Sequence, residues 1–241
     1  MPYEVCIIQK GYYIVTEGSD LSARCTCTLI KGKKNVIVNT MTGWDASVLA
    51  EGLVRYDMEP KRISYVVCTN GSLCYTGTNY MFKDSIHIVG HSIQNKNTFL
   101  PEPFSEGKPF NIDGEDLQVI PTPGHTLNDV SVLVKTAKGI VAITGDLFIR
   151  GEDVENEYYW LTSRSECPFL QRNNRQVVLS KAKFIIPGYG LMFEVTPEMK
   201  KSVHKHREPF QPDKELMSQL GIFGTPSPPD QTETQKMDFS C

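Results

Sequence analysis

Apolar, β-branched runs along this chain predict buried strands. Residues 63–68 form one such run, which ends in a Thr-Asn-Gly turn signal. Three later apolar runs end in the same way, in a turn that presents one polar or aromatic side chain. These turns carry His125 after a Pro-Gly pair, Asp146 and Tyr189. The pattern therefore predicts four buried strands whose ends hold the chemically distinctive residues.

The rest of the chain alternates between strand and helix patterns. Residues 3–10, 12–17, 23–30 and 35–39 are predicted to be strands of one antiparallel meander. Helices are predicted over 45–56, over 77–82 and within 156–182. A last helix is expected after Thr196 as cap and Pro197 in the first turn. This alternation predicts an α/β fold.

The order and spacing of the strand-end turns resemble the metallo-β-lactamase superfamily, in particular its small eukaryotic members. The resemblance runs from about Tyr3 to Met199, and the stretch from His87 to Met192 carries most of it. It implies a four-layer αββα sandwich, in which helices cover two packed sheets. It also implies a dinuclear zinc centre for hydrolysis at the strand ends, and a homodimer.

The implied metal ligands are mostly replaced in this chain. Family members read Thr-His-x-His-x-Asp-His where residues 69–75 read Thr-Asn-Gly-Ser-Leu-Cys-Tyr, and the last family histidine lies in a Pro-Gly-His-Gly turn that holds a tyrosine here. The aspartate of the family's Val-Asp-Thr-Gly turn is Asn39. Of the seven ligand positions implied by the resemblance, His125 and Asp146 are kept. The changed positions are Asn70, Ser72, Cys74, Tyr75 and Tyr189.

These replacements remove the chemistry on which a dinuclear zinc hydrolase depends. Such an enzyme needs imidazole and carboxylate ligands that lower the pKa of a bound water. Asparagine and serine are poor zinc ligands, and two tyrosines add bulk where the metal and its water would lie. One alternative stays open, because a Cys74 thiolate with His125 and Asp146 would supply three protein ligands. The other interpretation of Cys74 is a buried packing residue.

His125 and Asp146 also have two interpretations. In the first they are the residual ligands of a zinc ion. In the second there is no metal, and a histidine at a strand-end turn donates to a carbonyl or a carboxylate, for which Asp146 is the expected partner. His87 and His91 flank a strand pattern and are expected to be structural or surface residues.

Length and composition predict one globular domain followed by a polar tail. The chain has 241 residues and 40% hydrophobic content, which is enough for a sizeable core. Residues 1–207 are predicted to form the metallo-β-lactamase-like domain. Residues 208–241 are polar and proline-rich, and they are predicted to be disordered.

Charge and cysteine content limit the kinds of partner and the cellular compartment that the sequence predicts. A net charge of −3 gives no electrostatic case for RNA. No apolar stretch is long enough for a membrane span, and the N-terminus lacks a signal-peptide pattern. Seven cysteines without a disulfide spacing indicate reduced thiols. We therefore expect a cytosolic protein, with the nucleus as a second compartment.

Two functions follow, from different classes. The first is a pseudoenzyme that has lost zinc hydrolysis and acts as a binding or regulatory module, with a protein or small-ligand partner that the sequence does not name. The second is a mononuclear zinc hydrolase acting on esters or phosphodiesters. For that second function the resemblance implies endoribonuclease activity, including cleavage of histone pre-mRNA. The ligand losses favour the first function, without a bound metal cofactor.

Overall fold

The computed structural model of the chain describes residues 2–15, 21–161 and 163–205. Strands make up most of the regular structure in this part of the chain. In order they are β1 (Glu4–Gln9), β2 (Tyr12–Val15), β3 (Leu21–Arg24), β4 (Cys27–Lys31), β5 (Val36–Val38), β6 (Tyr65–Cys68), β7 (Ile86–Val89), β8 (Ser92–Asn95), β9 (Thr98–Phe99), β10 (Phe110–Asp113), β11 (Leu117–Pro121), β12 (Val130–Thr136), β13 (Gly139–Ile143), β14 (Phe184–Ile186) and β15 (Phe193–Glu194).

Helices connect or flank these strands. They are α1 (Ala46–Arg55), α2 (Leu73–Thr76), α3 (Tyr158–Leu161), α4 (Pro168–Lys181) and α5 (Pro197–Lys205). No helix among the described residues is long and apolar enough to cross a membrane.

The strands form two mixed sheets and one separate hairpin. The first sheet has the order β1-β4-β5-β6-β7-β8-β9, and the second has the order β10-β11-β12-β13-β14-β15. Strands β5, β6 and β7 run parallel to one another, as do β13 and β14, and the other neighbours are antiparallel. Parallel neighbours bring the carboxyl ends of consecutive strands to the same edge, which is where the candidate site lies.

The first sheet is buried on both faces. Along β5, Val36 and Val38 pack into the core between the two sheets, while Ile37 points to the opposite face. That opposite face is covered by Leu49 and Leu53 of α1. Alternate side chains of a strand point to opposite faces, so an unbroken apolar run is expected for a strand that is covered on both sides.

The second sheet is built in the same way. Ile186 of β14 faces the core between the sheets, and Ile185 faces Val178 and Leu179 of α4. The layers are therefore helix, sheet, sheet and helix. This arrangement confirms the αββα sandwich expected from the sequence.

The predicted N-terminal meander is wrong. Strand β1 pairs directly with β4, and the intervening β2 and β3 pair with each other as a separate hairpin. The predicted strand over 23–30 is broken at Thr26, whose backbone N–H donates to the Gly188 carbonyl at 2.7 Å and whose hydroxyl donates to the Gly190 carbonyl. The chain leaves the ladder at this point because Thr26 binds a turn of the second sheet.

Among the helices, the short one predicted over 77–82 is shifted. Helix α2 begins earlier, inside the altered ligand segment, and residues 79–82 form only a 3-10 turn. The other predictions are confirmed by α1, by the pair α3 and α4, and by α5, where the Met199 amide donates to the Thr196 hydroxyl. The predicted tail over 208–241, and with it the domain boundary at 207, lies outside the described residues.

Candidate functional site

The strand-end turns predicted from the sequence meet at one edge of the two sheets. Backbone hydrogen bonds tie them together, both between the two sheets and within the second sheet. Val130 donates to the Thr69 carbonyl at 2.9 Å, and Gly188 donates to the Gly145 carbonyl at 3.0 Å. The Asn39 side chain accepts from the Thr69 amide at 2.9 Å. Residues that are far apart in sequence are thereby held around one small volume.

Asn70 lies at the centre of this volume and uses its whole amide. Its Nδ2 atom donates to Asp146 Oδ2 at 2.8 Å and to Asp129 Oδ1 at 3.0 Å. Its Oδ1 atom accepts from the Ser72 amide at 2.9 Å. Asp146, Asp129 and the Ser72 amide are therefore all bound to one buried side chain. The family resemblance assigns this position to a metal-ligating histidine, whereas here it holds a hydrogen-bond donor to the two carboxylates.

Asp129 is the second carboxylate held by Asn70. It is buried, and it also accepts from the Thr126 amide at 2.7 Å and from the Thr126 hydroxyl at 3.0 Å. Burial raises the pKa of the Asp129 carboxyl to about 6, and the nearby Asp146 carboxylate pushes it in the same direction. The bonds from Thr126 and Asn70 oppose the rise. A second buried carboxylate so close to Asp146 thus costs free energy in its charged form.

His125 lies against the other side of Asp146. Its Nε2 atom is 3.7 Å from Asp146 Oδ2, an ion-pair distance rather than a hydrogen-bond distance. The Asp146 side chain is 7% exposed and the His125 side chain 20%. The Nδ1 atom of His125 is buried and has no hydrogen-bond partner among the described residues. The structure therefore brings the two kept residues together, with Asn70 supplying the hydrogen bond to the carboxylate.

Cys74 belongs to a different group of side chains. Its Sγ atom lies 3.2 Å from the Ser72 hydroxyl and 3.2 Å from the Tyr189 hydroxyl. Burial raises the pKa of the Cys74 thiol, and the two hydroxyl contacts only partly oppose that rise. A thiol in this setting is protonated near neutral pH, which makes it a packing and hydrogen-bonding group.

Tyr75 and Tyr189 fill the remaining space. Their ring centroids are 6.1 Å apart with an interplanar angle of 41°. Tyr75 is fully buried, and its hydroxyl packs over Gly188, where an added Cβ would come within 2.7 Å of the hydroxyl oxygen. Burial raises the pKa of both phenols, with Asp146 adding to the rise. Both tyrosines are therefore neutral and act as bulk.

The donor set does not fit the zinc centre that the family implies. The Asn70 amide nitrogen, which donates and cannot ligate, is directed at both carboxylates, and Cys74 is engaged by hydroxyl groups. Within residues 2–15, 21–161 and 163–205, no three His, Cys, Asp or Glu side chains are grouped to hold a metal ion. No chemical step is therefore assigned to a metal in this site.

Sequence reasoning missed Asp129. The sequence feature that could have indicated it is the Thr126-x-x-Asp129 spacing directly before β12. The same spacing is common where an aspartate accepts a hydrogen bond from the backbone of its own turn. The Asp129 bond to Thr126 matches that ordinary role. Its bond to Asn70, 59 residues earlier, has no local sequence signal.

Comparisons with known sequences show the family to which this chain belongs. The model of the metallo-β-lactamase superfamily matches residues 23–189. Metallo-β-lactamase domain-containing protein 1 of Xenopus laevis is 33% identical over 196 residues, which cover 80% of this chain and 82% of that protein. The mouse protein of the same name is 34% identical over 170 residues, which cover 69% of this chain and 64% of that protein.

Solved structures share the fold at low identity. A candidate metallo-β-lactamase from Thermotoga maritima superposes with a TM-score of 0.62 and 16% identity, over 80% of this chain and all of that one. A quorum-quenching N-acyl homoserine lactone lactonase gives a TM-score of 0.57 at 16% identity, over 78% of this chain and 91% of that one. The fold, the matched family range and the identity to the Xenopus protein together show that this chain belongs to the metallo-β-lactamase superfamily.

Proposed function

We propose that this chain is a metallo-β-lactamase-fold protein that has lost dinuclear zinc hydrolysis and acts as a binding or regulatory module. One observation carries the proposal. The Asn70 amide bridges Asp129 and Asp146 at 3.0 and 2.8 Å, so a protein side chain supplies the positive end of a dipole to two carboxylates. Carboxylates that are already satisfied in this way lose hydrogen bonds when a cation displaces the amide.

Electrostatics support the same interpretation. Two buried carboxylates that share one site repel each other unless a cation or a proton neutralises one of them. Here the pKa of Asp129 is raised to about 6, which places its protonation within reach of mildly acidic conditions. A proton on Asp129 removes one of the two negative charges, and the Asn70 amide dipole stabilises the other, so the pair can be accommodated without the charge of a metal ion.

The aromatic side chains give a third line of support. Tyr75 and Tyr189 come from opposite turns and pack against each other, and Cys74 lies against the Tyr189 hydroxyl. A hydrolytic centre needs open coordination for water and substrate. Two neutral phenols packed in this volume favour a structural role for the altered edge.

Metal content is the direct test. The full chain is purified without chelator, incubated with excess zinc, desalted and measured by mass spectrometry. We expect far less than one zinc per chain. A variant in which the five changed positions are restored to the family pattern serves as the positive control, because it should approach two zinc ions per chain if the fold still supports the centre. Its substitutions are Asn70→His, Ser72→His, Cys74→Asp, Tyr75→His and Tyr189→His.

The alternative function is a mononuclear zinc hydrolase acting on esters or phosphodiesters. The observation that favours it is the state of His125, whose Nε2 atom lies 3.7 Å from Asp146 Oδ2 and whose buried Nδ1 atom has no hydrogen-bond partner in the described part of the chain. Stoichiometric zinc in the unmodified chain, lost in both His125→Ala and Cys74→Ala, together with zinc-dependent hydrolysis of bis(p-nitrophenyl) phosphate, would establish this alternative and overturn the proposal. Under the proposal, Cys74→Ala leaves the zinc content unchanged at its low level, and bis(p-nitrophenyl) phosphate is not hydrolysed above background.

A further inference from the structure

We propose that a cleft beside the altered edge binds a small molecule that carries a carboxylate or phosphate group on an aromatic or apolar body. This inference rests on the proposed function and deepens it, since it gives the binding module a class of ligand. The cleft lies between the β2–β3 hairpin and the turn that follows Ile149, and its volume is about 550 Å³. The residues that matter for the argument are Tyr12, Tyr13, Arg150, Tyr189, Met192 and Phe193.

Arg150 is the group that would meet the anion. Its guanidinium carbon lies 5.0 Å from the ring centroid of Tyr159 and 5.9 Å from that of Tyr13. Stacking on aromatic faces fixes the plane of a guanidinium and leaves its in-plane N–H donors available. Within the described part of the chain, the Arg150 side chain forms no ion pair, and its buried Nε atom has no hydrogen-bond partner. The N–H groups of a guanidinium held in this way, with no acceptor of the protein in place, are suited to two parallel hydrogen bonds to one carboxylate or phosphate group.

The other charged residues of the cleft lie on its rim. Lys10, Glu152 and Glu155 are exposed, whereas Arg150 is half-buried. Water and salt screen charges on the rim more strongly than a charge in a partly desolvated position. Arg150 therefore dominates the electrostatic preference inside the cleft, and that preference is for an anion.

The walls of the cleft favour an apolar or aromatic body on the ligand. The Tyr13 and Tyr189 rings meet edge to face at 5.5 Å, and Met192 and Phe193 continue the apolar wall. Ligand sites are usually of this kind, with apolar walls and a few polar groups that orient the ligand. The wall at Tyr189 also joins the cleft to the altered edge, because the hydroxyl of that tyrosine contacts Cys74.

The test uses four one-ring probes that differ in charge, which are benzoate, phenyl phosphate, benzamide and benzylamine. Each is titrated into the full-length ¹⁵N-labelled chain and followed by amide chemical shifts. We expect both anions to bind at least tenfold more tightly than benzamide, with the largest shifts at Gly151 and Gly190, and benzylamine to bind no better than benzamide. The ratio of benzoate to phenyl phosphate affinity identifies the preferred anion.

Variants then assign the effect to Arg150. Arg150→Gln should lower benzoate affinity at least tenfold, to the level of benzamide, and Arg150→Lys should lower it about threefold because the charge stays and the planar fork is lost. Lys138→Gln removes one exposed positive charge from a different groove and should leave the affinity unchanged. If Arg150→Gln does not fold, the probe series on the unmodified chain decides the question.

Equal affinity for benzoate and benzamide would overturn the inference, as would shifts confined to other surfaces, absence of binding by either anion, or an unchanged affinity in folded Arg150→Gln. Zinc content of the same samples keeps the two proposals separate. If the protein is free of zinc and binds no anion, only the proposed anion-binding cleft is refuted. If the protein holds zinc and binds benzoate through Arg150, only the proposed loss of the metal centre is refuted.

Discussion

Asn70 donates from its side-chain amide to Asp146 Oδ2 at 2.8 Å, across 76 positions of sequence. The same nitrogen reaches Asp129, so one neutral residue satisfies two buried carboxylates. The resemblance to the family assigns the position of Asn70 to a metal-ligating histidine. The altered edge is thus held together by hydrogen bonds between side chains, and its stability depends on that amide.

Replacing Asn70 should destabilise the fold. Asn70→Ala leaves both carboxylates without their shared donor, and we expect a loss of about 2–4 kcal/mol in the free energy of unfolding, since a buried charged group loses its partner. Asn70→Asp adds a third carboxylate and should cost more, by an amount that grows with pH. Urea unfolding at several pH values measures both effects.

Asn97→Asp is the matched control for that experiment, because Asn97 is exposed on a turn. Its cost should stay within about 0.5 kcal/mol. Equal costs for the two aspartate variants would contradict the bridging role of Asn70.

Asp129 should make stability depend on pH. The pKa of the Asp129 carboxyl is raised from 3.8 to about 6 in the folded protein. Between about pH 4 and pH 6 the carboxyl is therefore protonated in the folded chain and ionised in the unfolded chain. The contribution is fully present below about pH 4 and is lost as the pH rises through about 6. A shift of about two units corresponds to roughly 3 kcal/mol. The free energy of unfolding measured from pH 4 to pH 8 gives this change.

Asp129→Asn isolates the contribution, because the amide keeps the size and one acceptor oxygen but does not titrate. The difference in stability between the variant and the unmodified chain should widen in favour of the variant as the pH rises from 4 to 7. A difference that stays constant over that range would show that Asp129 is not the titrating group.

Gly188 and Tyr75 should be coupled in stability. A Cβ at position 188 would lie 2.7 Å from the Tyr75 hydroxyl oxygen and 3.0 Å from the Gly145 backbone. We expect Gly188→Ala to cost about 2–3 kcal/mol through overpacking. Adding Tyr75→Phe removes the closer clash, and the double variant should recover about 1 kcal/mol relative to the sum of the single variants. A double-mutant cycle by chemical unfolding measures the coupling.

Gly71→Ala is the control for the added methyl group, because no atom of the described residues, apart from Gly71 and its two chain neighbours, lies within 4 Å of the place that a Cβ would take there. It should change stability by less than about 1 kcal/mol. Strict additivity of Gly188→Ala and Tyr75→Phe would argue against the packing of the phenol over Gly188.

The Cys74 thiol should react slowly in the native protein. Burial raises its pKa, and the thiolate is the reactive form. We expect alkylation by iodoacetamide at pH 7 to be at least tenfold slower than in the urea-unfolded chain, measured by peptide mass spectrometry. Tyr189→Phe removes one hydroxyl contact of the thiol and leaves the burial in place, so the slow reaction should persist. Native and unfolded rates that are equal would show that Cys74 is accessible and that burial does not raise its pKa, and a faster native rate would indicate an ionised thiol.

The sequence predicted the parts of this molecule that depend on local pattern. The alternation along β5, where Val36 and Val38 face one way and Ile37 the other, follows from the geometry of a strand, and so the two-sided burial could be predicted. The strand-end turns and the replaced ligands could be predicted as well, because residue types and spacing identify them. The superfamily and its αββα layers are therefore properties that the sequence determined by itself.

Only the tertiary structure decided which side chains meet. The break at Thr26 is caused by the Gly188 carbonyl, which belongs to the other sheet, and no pattern within residues 23–30 marks it. The pairing of Asn70 with Asp129 and the placement of Arg150 between two aromatic rings likewise join distant segments. Periodicity determines the face on which a side chain lies, whereas contacts between faces depend on how the two sheets pack, and that packing is settled only when the whole core forms.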